Sequence, residues 1–90
     1  MGETEAKKFW RETEGLDSTN SLKAILVQSN QHRPRNGKAV NIVEIIPVLH
    51  GGARVYKKAI KLRCATAVAE LSAVLADFVE WNKTTGYLDE

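Results

Sequence analysis

A single cysteine, Cys64, stands in 90 residues. It has no partner for an internal disulfide, so the frameworks that staple small secreted domains are excluded. No apolar run approaches the roughly 18 residues of a membrane span, and the start Met-Gly-Glu-Thr-Glu lacks the basic end and apolar stretch of a signal peptide. These absences predict an intracellular chain, cytoplasmic or nuclear, with no membrane partner. Histidine is nearly as scarce: His32 and His50 lie far from each other and from Cys64 in sequence, which offers no metal-ligand spacing. No nucleophile, base and orienting group fall into a catalytic pattern. Gly51-Gly52 is not followed by the Lys and Ser/Thr of a phosphate loop. The expectation is a protein that is not an enzyme, with no metal, no cofactor and no small-molecule substrate.

Acidic residues are missing from one region in particular. Residues 23–63 carry Lys23, Arg33, Arg35, Lys38, Arg54, Lys57, Lys58, Lys61 and Arg63 against Glu44 alone. Residues 1–22 set three basic side chains against five acidic ones, and residues 64–90 set Lys83 against five acids. The net charge of +2 therefore conceals a strongly basic centre between acidic flanks. With 43% hydrophobic and 27% charged residues the composition is that of one globular domain, residues 1–90. A chain this short buries a small core, and a second copy is a natural way to enlarge it.

The basic centre reads with the period of two that marks strands, in runs at 22–28, 39–49 and 54–63. Between the last two, His50-Gly51-Gly52-Ala53 supplies residues that accept the positive φ of a tight hairpin. The polar stretch 30–37 contains Pro34 and Asn36-Gly37, which form turns. Pro47 cannot donate a ladder hydrogen bond and predicts an edge or a bulge. A turn centred on Gly51-Gly52 puts Ile42, Glu44, Ile46, Val48, Val55, Lys57, Ala59 and Lys61 on one face, mixed basic and apolar. The other face carries Val43, Ile45, Pro47, Leu49, Tyr56, Ile60 and Leu62, with Arg54 and Lys58 among them, and is the expected core. From about residue 65 to 83 the period changes: Val68, Leu71, Leu75, Phe78, Val79 and Asn82 recur at steps of three and four, predicting an amphipathic helix ended by Gly86. Ala6, Phe9, Trp10 and Thr13 share a helical face before Gly15, which predicts a short helix over 3–14, docked or loose within residues 1–20. The fold class is α+β: a small antiparallel sheet of three or four strands over 22–63, with a Gly-Gly hairpin, covered by a long C-terminal helix and preceded by a short N-terminal one. Residues 84–90 form a solvated acidic tail, and Cys64, at a strand end, reads as a small buried hydrophobe.

This order of strands, basic loop, hairpin and final helix resembles the positive cofactor 4 family of transcriptional coactivators, which bind single-stranded DNA. The matching residues are Val40-Asn41-Ile42-Val43-Glu44, then Lys57-Lys58-Ala59-Ile60-Lys61-Leu62 followed by the helix with Leu71, within about residues 22–80. The chain departs from the family where Val43, Ile45 and Ile46 replace an Arg and aromatic residues, and where Ala59 replaces a Gly. The resemblance implies a homodimer whose helices pair across a two-fold axis, with Leu71, Leu75, Phe78 and Trp81 at the interface. It also implies a groove for an extended single strand, with Lys57, Lys58 and Lys61 on its backbone.

Single strands are held by a basic groove that tracks phosphates and by aromatic rings that stack on bases. The ten expected contacts are Lys23, Arg33, Arg35, Lys38, Arg54, Tyr56, Lys57, Lys58, Lys61 and Arg63. Tyr56 is the single aromatic residue of the basic centre and fits core and groove equally. Stacking must then be weak or supplied by the flanks, where Trp10 and Trp81 read as packing residues. The function expected is sequence-nonspecific binding of single-stranded nucleic acid, DNA over RNA, in transcription or replication. The alternative is a small interaction or inhibitor module that docks its basic strand face on an acidic protein; basic strand charges also protect edges from aggregation.

Overall fold

A computed structural model of the chain describes residues 8–14, 16 and 21–89. Four strands form one antiparallel sheet in sequence order: β1 (Trp10–Glu12), β2 (Leu22–His32), β3 (Val40–Leu49) and β4 (Ile60–Leu62). One helix follows, α1 (Ala65–Thr85), giving the expected α+β class. The expected helix over 3–14 is corrected where it can be seen. Trp10–Glu12 is a strand, while residues 3–7 and Gly15 lie outside the described residues. Trp10 suits a pleated strand, and side chains tie both ends to β2. The Phe9 N–H donates to Ser29 Oγ at 2.9 Å, and the Ile25 N–H donates to Thr13 Oγ1 at 2.9 Å.

β2 runs to His32, four residues past the expected end, so the β2–β3 connection is shorter than the polar stretch suggested. At the other end of β3, Gly51 and Gly52 have φ of 97° and 92°, and the Gly52 N–H donates to the Leu49 carbonyl at 2.8 Å. The hairpin stands where the glycines predicted it. The run 54–63 does not form one strand. Arg54 bridges to Val48, Tyr56–Lys58 makes a 3₁₀ turn, and only Ile60–Leu62 joins β3.

Pro47 explains the interruption. The N–H and C=O of its partner Ile25 both point to β1, bonding Thr13. Alternation along the ladder then aims the Pro47 nitrogen and carbonyl away from β2, toward the segment before β4. The carbonyl accepts the Val55 N–H at 2.9 Å, but the nitrogen has nothing to donate. The β3–β4 ladder accordingly stops at Ile45. The expected bulge is found instead on β2, between Leu22 and Ala24.

The face expected to be mixed is the buried one. Ala24 and Leu26 of β2 and Ile42, Glu44, Ile46 and Val48 of β3 are buried on it, and Ala59 packs against them. The face expected as core, with Val43, Ile45, Pro47 and Leu49, is half-buried, and its Ile60 is 48% exposed. Alternation sorts side chains into two sets, whereas which set is buried depends on what packs over it, and among the described residues Ala59 packs there. No residue of α1 is buried, and among the described elements β4 is the sole one it touches. At its end the left-handed Gly86 donates its N–H to Asn82 at 2.7 Å, and the Asn82 side chain holds the Leu88 backbone in both directions. Residues 86–89 stay exposed around these bonds. Cys64, expected to be buried, is exposed at the N-cap of α1.

Candidate nucleic-acid interface

Directly paired residues share a face of the sheet. The registers therefore place Trp10, Gln28, Glu44 and Lys61 in one row across all four strands, on the buried face. Glu44 lies in the middle of this row and is 6% exposed. Its Oε1 accepts the side-chain amides of Gln28 at 3.0 Å and Asn30 at 2.8 Å. The Gln28 amide, then Asn30, Lys61 and His32, hold the Glu44 carboxyl below the ordinary glutamate range, outweighing burial, which acts the other way. The sole acid of the basic centre is thus ionised but withdrawn from the surface.

All nine basic residues of 23–63 are exposed. The ion pair found among the described residues lies elsewhere, between Lys83 and Glu80 on α1. The nine do not form one patch. Arg54, Lys57 and Lys58 sit on the segment between β3 and β4, with Tyr56 half-exposed beside them. Lys61 projects at the β4 end of the row. Arg33, Arg35 and Lys38 occupy the β2–β3 connection, at the opposite end of β3 from the Arg54 bridge. Lys23 lies in an open cleft lined also by Glu12, Glu14 and His50. Arg63 flanks the start of α1 in a hollow lined by Ile42, Leu62, Cys64 and Val68.

An aromatic residue joins this surface from the flank. Trp10 is 53% exposed, and the Arg54 guanidinium stands 5.8 Å from its ring centroid. The sequence pattern alone places Trp10 in packing on a helix. The available signal was the strand-favouring run Phe9-Trp10, and a chance helical period with Ala6 and Thr13 obscured it. Phe9 faces the other way, with Arg11 5.7 Å from its ring.

The residues expected at a dimer interface, Leu71, Leu75, Phe78 and Trp81, all lie on α1, where Leu75 is 58% exposed. Trp81 packs between Phe78 at 5.6 Å and Tyr87 at 5.5 Å, closing the end of the helix. No helix among the described residues is long and apolar enough to cross a membrane. Comparison with protein families, characterised proteins and solved structures finds no match to this chain.

Proposed function

We propose that this protein binds single-stranded nucleic acid, DNA in preference to RNA and with little sequence preference, inside the cell and in the service of transcription or replication. The observation that carries this reading is the separation of charge: nine exposed Lys and Arg, and their one acidic neighbour in the chain segment buried and engaged by amides. Among the described residues, none of the nine is held in an ion pair that a polyanion would have to displace. Phosphates are the polyanion that exposed, dispersed cations with few stacking rings suit best. The principal contacts are Arg54, Lys57, Lys58 and Lys61, extended by Arg33, Arg35 and Lys38.

The acting unit is a homodimer. No side chain of the 21-residue helix is buried, although helices in proteins draw most of their stability from packing an apolar face, and its stripe of Val68, Leu71, Leu75 and Phe78 needs an apolar partner. A second copy supplies one, either its own helix or its half-buried sheet face.

The test is fluorescence anisotropy of labelled oligo-dT titrated with the full chain over a salt series. Binding at low salt that weakens steeply as salt rises supports the reading. Replacing Lys57, Lys58 and Lys61 with Ala lowers the slope of log affinity against log salt by up to about 2, since each single-strand phosphate contact contributes about 0.7. Absence of binding at low salt sinks it. Competition by double-stranded DNA and by RNA ranks the substrates.

A further inference from the structure

We propose that Trp10 is a stacking platform for one unpaired nucleobase, with Arg54 behind it and the cations of the 54–58 segment holding the phosphates on either side. This inference rests on the nucleic-acid reading and makes it more specific. A surface that binds through phosphates alone needs only charge. A surface that also holds bases needs an exposed ring beside that charge.

Trp10 and Arg54 are 44 positions apart in sequence, yet the sheet brings the guanidinium to 5.8 Å from the indole centroid. Two features of the fold create the contact. The β1–β2 register aims Trp10 to the buried face of the sheet at its β1 edge, beside Gln28. The β3–β4 ladder is broken before Ile60, and Arg54 bridges instead to Val48, a residue of that same buried face. The indole remains 53% exposed, so its surface is not consumed by the core. Trp is the side chain whose ring best accommodates a cation on its face, and a base stacked on the other side completes a layered arrangement of cation, ring and base.

The neighbouring amide is also fixed in orientation. A carboxylate only accepts hydrogen bonds, so Glu44 obliges Gln28 to turn its NH₂ group inward, at 3.0 Å. The Gln28 carbonyl oxygen is thereby turned away from Glu44. It accepts no hydrogen bond among the described residues. It is placed to receive an N–H from the edge of a base lying on Trp10.

The experiment compares labelled oligo-dT with an abasic oligonucleotide of equal length, so that charge is matched and only the bases differ. The full chain is expected to bind oligo-dT about 5- to 140-fold more tightly, the range of one stacked base. Trp10→Ala should remove that preference while leaving abasic binding and its salt slope unchanged, and Trp10→Phe should retain most of it. Equal, salt-sensitive binding of both polymers by the unaltered chain overturns the stacking role and leaves the phosphate-binding reading intact. A Trp10→Ala loss shared equally by both polymers also overturns it, since the ring would then serve only structure. Binding of neither polymer overturns both readings.

Discussion

Gln28 donates its side-chain amide to Glu44 at 3.0 Å across the β2–β3 ladder, and this bond is the foremost reason that the carboxyl titrates low. A carboxyl whose folded value is depressed stabilises the fold at pH above its unfolded value, about 4.3. That stabilisation is lost as pH falls through the lower folded value. The urea midpoint of the unaltered chain should therefore exceed that of Glu44→Gln at neutral pH, with the gap narrowing on acidification below about pH 4. A gap that stays constant with pH would mean that the charge of Glu44 contributes nothing to stability.

Leu26 and Ile46 face each other at the centre of the small core, and both are fully buried. Truncating Leu26 to Ala should cost about 2–5 kcal/mol, a large part of the roughly 5–15 kcal/mol available to a domain. Chemical denaturation monitored by circular dichroism reads it. The same truncation at Leu75, 58% exposed, should cost an isolated monomer far less.

Leu75 and Phe78 discriminate the dimer from the monomer. Leu75→Glu combined with Phe78→Glu should halve the mass seen by sedimentation velocity and reduce the helical signal, because an unsupported α1 frays. An unaltered chain that sediments as a monomer at micromolar concentration rules the dimer out.

Gly51 and Gly52 adopt φ of 97° and 92°, which side-chain-bearing residues rarely tolerate, although nothing lies within 4 Å of an added Cβ at either site. Each Gly→Ala substitution should cost about 1–3 kcal/mol through backbone strain alone. Thermal unfolding measures the loss. Nucleic-acid affinity at a temperature where the variant remains folded should not change.

Much of this fold was legible in residue order. The Gly51-Gly52 hairpin, β3, the basic centre and the long helix follow from turn chemistry, alternation and a change of period, all of which are local. The same alternation separated Glu44 and Ile46 from Val43 and Ile45 correctly. Three matters were decided only in three dimensions. Which of those two sets became the core depended on packing from residues distant in the chain, Ala59 among them, and not on alternation. The strand at Trp10 depended on pairing with Leu26–Gln28, a contact that no nearby residue announces, so a short helical period prevailed in the sequence. The meeting of Trp10 with Arg54 depended on that strand and on the bridge of Arg54 to Val48. Residue order thus determined the elements and the uneven charge, because those are properties of neighbours along the chain. Tertiary structure determined which charge is withdrawn, at Glu44, and which ring stands beside the cations, at Trp10, because those are properties of neighbours in space.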